Sequence, residues 1–117
     1  MNGPKNDGEK LRYDLIPSAP LRGVAAALTY GAAKHKDEGG KPNWLNGLSF
    51  ASHYGAMQRH ANAYWSGETH DPESGIHHLA AVAANAMVLM DLDLRFADTE
   101  FDDRHPPIPE RCPIPTE

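Results

Sequence analysis

The sequence predicts an all-α fold: a compact bundle of three main helices between a flexible N-terminus and a proline-rich C-terminal tail. Three segments carry apolar residues at helical spacing, and a serine that can cap a helix precedes each of the first two. Glycine, proline and asparagine cluster between the first and second segments, which marks a loop over residues 37–47. The 117 residues form one domain, large enough for a core but too small for two.

The first helix follows a polar, glycine-containing start and a short extended segment, KLRYDLIPSAP. Ser18 can cap a helix that begins near Pro20. Its expected core face consists of Leu21, Val24, Ala25, Leu28 and Ala32.

The second helix is expected between Ser49, as its cap, and Gly67, which stops it. His53 and His60 flank its apolar stripe and lie seven residues apart. That stripe consists of Phe50, Tyr54, Met57, Ala61, Tyr64 and Trp65.

The third helix is expected from about Glu73 to Asp93, and its middle is apolar nearly all round. Its longest apolar run, residues 79–90, is far shorter than the roughly 20 residues that span a bilayer. We therefore expect it at the centre of the bundle or buried in a homo-oligomer interface, at least a dimer. The candidate interface residues are Ala80, Ala84, Met87 and Val88.

Asn85 is the polar interruption of that helix. A buried amide without partners costs about 1 to 3 kcal/mol, so Asn85 should bond a ligand, a side chain or another subunit. From Phe96 onward the chain is acidic and then proline-rich, which divides it into a domain, residues 1–95, and a tail, residues 96–117.

Composition excludes several classes of protein. The net charge of −5 argues against binding to nucleic acid duplexes, and the single cysteine, Cys112, excludes an internal disulfide. The N-terminus has no apolar core of a signal peptide, so a cytoplasmic location without membrane contact is expected. Walker, GxSxG, CxxC and HExxH signatures are absent.

The connection GETHDPESGIHH, residues 67–78, has the highest density of chemical groups. Its carboxylates Glu68, Asp71 and Glu73 repel one another unless a cation or proton intervenes, and Mg²⁺ and Mn²⁺ prefer such oxygen ligands. Asp71-Pro72-Glu73 is also typical of a helix start, so Asp71 is a candidate for cap and ligand alike. Glu68 has no capping role, because it follows the end of the preceding helix.

Histidines add candidates for acid–base chemistry. His78 and Asn85, seven residues apart, share a helix face, whereas His77 is turned by about 100°. His60 could approach His78 if the second and third helices pack antiparallel. The alternative is that each histidine is a hydrogen-bonded structural residue.

Cations and a loop aromatic complete the candidates. Lys10, Arg12 and Lys34 could neutralise a polyphosphate, or could be ordinary solvated charges. Asn43 could read the edge of a base on which Trp44 stacks, although Trp44 could equally cap the core.

The segments GEKLRYDLIP, LTYGAAKHK, RHANAYWSGE and DPESGIHHLAAVAAN resemble the phage dATP/dGTP diphosphohydrolase family, which is grouped with the MazG-like nucleotide pyrophosphohydrolases. The resemblance runs from about Gly8 to Leu92. It implies a MazG-like helical bundle that forms dimers or tetramers. It also implies cleavage of a nucleoside triphosphate, dGTP or dATP, to the monophosphate and pyrophosphate with a divalent metal, which would adjust a phage nucleotide pool.

The resemblance also carries over site residues, although the ExxE and ExxD motifs of MazG proper are missing and only Glu68-Thr69-His70-Asp71 stands in their place. The metal ligands are therefore inferred from carboxylate chemistry. The matching positions are Lys10, Arg12, Asp14, Lys34, Asn43, Trp44, His60, Glu68, Asp71, Glu73, His78 and Asn85.

One site is expected from these residues. Glu68, Asp71 and Glu73 would hold one or two Mg²⁺ or Mn²⁺ ions, with Glu68, His60 and His78 acting in catalysis. The substrate-binding residues would be Lys10, Arg12, Lys34, Asn43, Trp44 and Asn85. Two rival functions are a phosphohydrolase that holds Zn²⁺, Fe²⁺ or Mn²⁺ with histidines, and a non-enzymatic nucleotide-binding or interaction module.

Overall fold

The chain, represented by a computed structural model, is described over residues 10–34 and 49–104. A 3-10 helical turn, Tyr13–Leu15, is followed by α1, Ser18–Lys34, α2, Phe50–Trp65, and α3, His78–Phe96. Within those two ranges the one β interaction is an isolated bridge between His70 and His77. The prediction of an all-α bundle with three main helices is confirmed.

The helix α3 lies at the centre and packs against both α1 and α2. Phe50, Val88 and Leu92 form the core, with Leu28, Leu89 and Phe96 packed around them. The predicted central position of the third helix is therefore confirmed. No helix in the described ranges has the length and apolar character needed to cross a membrane.

Small residues set the spacing between α1 and α3. A Cβ atom built on Gly23 would lie 3.0 Å from the Cβ of Ala80, so the two helices touch at this point. Ala80, Ala84 and Val88 are buried within the single chain. They are therefore not exposed to a second subunit, contrary to the expectation from sequence, whereas Met87 is half exposed.

The start of α1 and part of its predicted face differ from expectation. The helix begins at Ser18 itself, so Ser18 does not stand before it as a cap. Val24 is buried, but Leu21 and Ala25 are exposed. The predicted face was too wide because α1 packs mainly on one neighbour, α3.

The ends of α2 agree with the sequence. The Ser49 Oγ accepts a hydrogen bond from the Ser52 amide, which confirms the cap. At the other end the Glu68 amide donates to the Ala63 carbonyl and the Gly67 amide to the Tyr64 carbonyl, both at 3.0 Å. These two bonds form a Schellman motif, and Gly67 has the positive φ of 107° that it needs.

The predicted apolar stripe of α2 is partly wrong. Phe50 is buried, but Tyr54 is 54% exposed and Trp65 is 86% exposed. The face that meets α3 instead carries His53 and His60, both of which bond side chains of α3. The spacing of apolar residues alone therefore predicted a contact face of α2 that is rotated about the helix axis from the face that actually meets α3.

The third helix begins at His78, not near Glu73 as expected. Asp71 makes a turn instead of a helix start: its Oδ1 accepts from the Glu73 amide at 2.9 Å and its carbonyl from the Gly75 amide at 2.7 Å. His77 is the cap of α3, because its Nδ1 accepts from the Leu79 amide. Residues 66–77 are thus a hydrogen-bonded loop.

Residues 97–104 return to the start of α2. The Asp103 Oδ1 accepts from the Phe50 amide at 2.8 Å, and the Arg104 guanidinium lies 5.2 Å from the centre of the Phe50 ring. Arg104 also binds Asp102, and this ion pair holds the pKa of Asp102 well below its ordinary value. The beginning of the acidic segment is therefore part of the packed structure.

Candidate functional site

A cavity of about 690 Å³ lies between the three helices and the loop of residues 66–77. Its wall includes apolar and hydroxyl side chains and eight charged, imidazole or amide side chains. These side chains are Lys34, His53, Arg59, His60, Asp71, Glu73, His78 and Asn85.

Three side chains from separate elements form a hydrogen-bonded chain, here called the relay: His60, His78 and Glu68. The Nδ1 atoms of His60 and His78 lie 2.8 Å apart, and the His78 Nε2 lies 2.7 Å from the Glu68 Oε1. His78 is only 4% exposed, whereas the Glu68 side chain is 51% exposed. The antiparallel approach of His60 to His78 is confirmed.

Hydrogen-bonding rules fix the direction of the relay. A carboxylate can only accept, so the proton between His78 and Glu68 belongs to the His78 Nε2. In neutral His78 the Nδ1 is then an acceptor, and the His60 Nδ1 must donate to it. The His60 Nε2 is left as a lone-pair acceptor on a ring that lines the cavity.

Electrostatics favour the same state of His60. Burial lowers the pKa of His60 below its ordinary value, and His78 and Arg59 act in the same direction, against an opposing effect of Asp71. His60 is therefore neutral near pH 7, which is the form that can take a proton from water.

A second polar pair joins α2 and α3. The His53 Nδ1 lies 3.0 Å from the Asn85 Oδ1, and the Asn85 Nδ2 donates to the Ala81 carbonyl. The side-chain partner expected for Asn85 is therefore His53. Sequence reasoning gave His53 no site role, although its spacing of seven residues from His60 placed both histidines on one face.

The three carboxylates of the loop diverge. Glu68 binds His78 and the Asp71 Oδ1 holds a loop amide, while the Glu73 Oε2 accepts from Lys34 at 2.7 Å and from Tyr30 at 2.9 Å. The bond to Glu73 raises the pKa of Lys34. In the described part of the chain no three histidine, cysteine, aspartate or glutamate side chains are close enough to hold one metal ion.

This donor set fits a metal that is bound together with a nucleotide, but does not fit a complete protein cage. Mg²⁺ is commonly held by one or two carboxylates together with substrate phosphates and water. Asp71 and Glu73 both line the cavity and could supply those carboxylates. Glu68 is directed to His78 instead.

The predicted cations are spread over two regions. Lys34 lines the cavity, whereas Lys10 is exposed and Arg12 forms an ion pair with Asp14 at 2.8 Å, away from the cavity wall. Arg12 lowers the pKa of Asp14. Sequence reasoning missed Arg59, which lines the cavity. Arg59 lies on α2, one helical turn before Ala63. Asn43 and Trp44 lie outside the described residues.

Comparison with known proteins assigns the family. Residues 1–104 match the family described as dATP/dGTP diphosphohydrolase, N-terminal. A relative named dATP/dGTP diphosphohydrolase, from Salmonella phage PMBT28, is 33% identical over 89 residues, which cover 76% of this chain and 29% of the relative. The chain thus spans less than a third of that relative, and no solved structure matches it. The chain belongs to the dATP/dGTP diphosphohydrolase family, through the N-terminal region that defines it.

Proposed function

We propose that this chain hydrolyses a deoxynucleoside triphosphate, dGTP or dATP, to the monophosphate and pyrophosphate. The family match supports the substrate class. The observation that carries the proposal is the relay, because it leaves a lone pair on the Nε2 of His60, a residue that lines a cavity which also contains cations and carboxylates. Such a cavity suits a water molecule and a polyphosphate together.

The relay would act in the following step. A water oxygen bonds to the α phosphorus while the bond from that phosphorus to the oxygen bridging to the β phosphorus breaks. The His60 Nε2 takes the proton from the attacking water, and the His60 Nδ1 passes its proton to the His78 Nδ1. The positive charge is then on His78, next to the Glu68 carboxylate, which offsets it. After the products leave, the proton returns from the His78 Nδ1 to the His60 Nδ1, and the His60 Nε2 releases its proton to solvent, which restores the starting tautomers.

Phosphate binding is assigned to Lys34 and Arg59, which line the cavity from α1 and α2. Lys34 would exchange its bond with Glu73 for a phosphate oxygen. Lys10 and Arg12 remain predicted contributors to the outer phosphates, and Asn43 and Trp44 to base selection.

Asp71 and Glu73 are proposed to hold the Mg²⁺ or Mn²⁺ ion that accompanies the nucleotide. Such an ion, when bound, neutralises phosphate charge and makes the α phosphorus easier to attack. Glu68 is assigned to the relay, since its carboxylate bonds His78 rather than lying beside Asp71 and Glu73.

A panel of ribo- and deoxynucleoside triphosphates, incubated with Mg²⁺ or Mn²⁺ and separated by chromatography, tests the proposal. The expected products are dGMP or dAMP with pyrophosphate. Release of a nucleoside with triphosphate, or of a diphosphate with phosphate, would replace the proposed reaction with another. Tight binding of dGTP and dATP without any product would indicate a binding module.

A further inference from the structure

The pair His53 and Asn85 takes no part in the proposed reaction, yet both residues line the same cavity as the relay. His53 precedes His60 by seven residues on α2, and Asn85 follows His78 by seven on α3. Seven helical residues span roughly 10.5 Å, so the two pairs lie about that far apart along the helices. This is the scale of a nucleotide, whose base would reach one pair when its α phosphate lies at the other.

The hydrogen bonds of Asn85 fix the state of His53. Because the Asn85 Nδ2 donates to the Ala81 carbonyl, the Oδ1 is the atom that faces His53. An amide oxygen only accepts, so the His53 Nδ1 carries a proton, and in the neutral imidazole the Nε2 then carries a lone pair. Within residues 10–34 and 49–104 no side chain or backbone group donates to this Nε2.

The wall near His53 is largely apolar, with Leu28, Ala56, Ala84 and Val88 lining the same cavity. A flat base can pack against such a surface, and a half-buried acceptor there gains from a ligand that brings an N–H group. Adenine and guanine each carry an amino group. The site thus offers an aminopurine an apolar surface and a hydrogen-bond acceptor.

We propose that the His53 Nε2 accepts a hydrogen bond from the amino group of the purine base, and that Asn85 is the positioning residue that holds the ring in the tautomer whose Nε2 accepts. The assignment rests on the proposed function, because it takes the cavity to be the nucleotide site. It adds a specificity-determining residue that acts on the base and not on the phosphates.

Binding of non-hydrolysable nucleotides to the full chain tests the assignment without turnover. Calorimetry would compare α,β-methylene dATP with its analogue lacking the 6-amino group, and α,β-methylene dGTP with its analogue lacking the 2-amino group. Wild type should prefer the amino form in at least one pair by about tenfold, the effect of one hydrogen bond. His53→Phe keeps a flat ring but cannot accept, so the preference should disappear.

Asn85 is tested with two variants. Asn85→Gln keeps a neutral amide that can accept from the His53 Nδ1 and should retain the amino preference, whereas Asn85→Leu should reduce it. Circular dichroism checks that each variant keeps its helices.

The base assignment is overturned if wild type shows no preference in either pair, or if His53→Phe weakens both members of a pair equally and so leaves the preference intact. Failure of the proposed function looks different. In that case the amino preference can persist in the binding data while no nucleotide is hydrolysed.

Discussion

The Nδ1 atoms of His60 and His78 face each other at 2.8 Å, with ring centres 5.1 Å apart. One of the two nitrogens must donate and the other accept. Because the His78 Nε2 donates to Glu68, the His78 Nδ1 accepts and the His60 Nδ1 donates. The His60 Nε2 is therefore the basic nitrogen.

Replacing the proposed base should affect the chemical step more than binding. His60→Gln is expected to lower kcat by about 10²- to 10⁴-fold with a small change in KM, since general base catalysis has that magnitude. Steady-state kinetics on dGTP and dATP measure the effect. His70→Gln is the matched control, because His70 is exposed and does not line the cavity. Equal losses in the two variants would remove His60 from the mechanism.

Glu68 can be tested as a relay member or as a metal ligand with one substitution. Glu68→Gln removes the charge and lets the amide donate to His78, which would reverse the direction of the relay. We expect kcat to fall, and the double variant with His60→Gln to fall little further, because residues that act as a unit are not additive. The Mg²⁺ concentration needed for half-maximal rate should stay unchanged. A large rise in that concentration would instead assign Glu68 to the metal.

The pH dependence follows from the lowered pKa of His60. Its neutral form is the active one, so kcat/KM should fall on the acid side with a midpoint below 6.5, and His60→Gln should lack this acid limb.

The free energy of unfolding should also fall toward acid pH. His60 takes up a proton near pH 6.5 in the unfolded chain, but only at lower pH in the folded chain. The free energy of unfolding therefore falls as the pH drops through 6.5 toward the folded-state pKa. Urea titrations of wild type and His60→Gln at several pH values measure this difference.

Metal removal should abolish turnover and leave the fold intact. Excess EDTA is expected to stop hydrolysis, and Mg²⁺ or Mn²⁺ to restore it, because the cavity contains carboxylates but not enough positive charge for a triphosphate. Asp71→Asn and Glu73→Gln should each raise the metal concentration required. Circular dichroism checks the helices. Full activity in excess EDTA would contradict the metal proposal.

Self-association is expected through a stripe of α3 that the chain leaves exposed, namely Leu79, Met87, Met90 and Leu94. Burying this stripe against a second copy would remove apolar surface from water, at about 25 cal/mol per Å² before association costs. Met90→Glu should lower the mass measured by light scattering at micromolar concentration. Ala26→Glu adds the same charge at an exposed position of α1 and is the control. A monomeric wild type would contradict the proposal.

The ends of α2 could be predicted from the sequence, because helix ends depend on residues that are neighbours in the chain. Ser49 and Gly67 bound α2 because a cap and a positive φ are properties of neighbouring residues. The meeting of His60 and His78 followed from a short connection between antiparallel helices. The contact of Asp103 with Phe50 could not be predicted, since it joins residues 53 positions apart in sequence through a single carboxylate.

The loop of residues 66–77 shows why the site was harder to predict than the fold. The run Asp71-Pro72-Glu73 is typical of a helix start. In the structure, however, the Asp71 side chain stabilises a turn, and the helix begins only at His78. Glu68 and Glu73 have different partners, His78 and Lys34. Chemical type identified the right loop, whereas the partner of each carboxylate depended on the tertiary arrangement.

The turn at Gly67 links the backbone of the fold to the relay. The amide of Glu68 completes the helix end at Ala63 while its carboxylate binds His78, so the backbone conformation at Gly67 orients the terminal carboxylate of the relay. A side chain at residue 67 would strain a φ of 107°. In a genetic screen for activity, substitutions of Gly67 would therefore be grouped with substitutions of active-site residues, although glycine has no side chain that could react. Selection on the chemistry therefore extends to a position whose whole contribution is conformational.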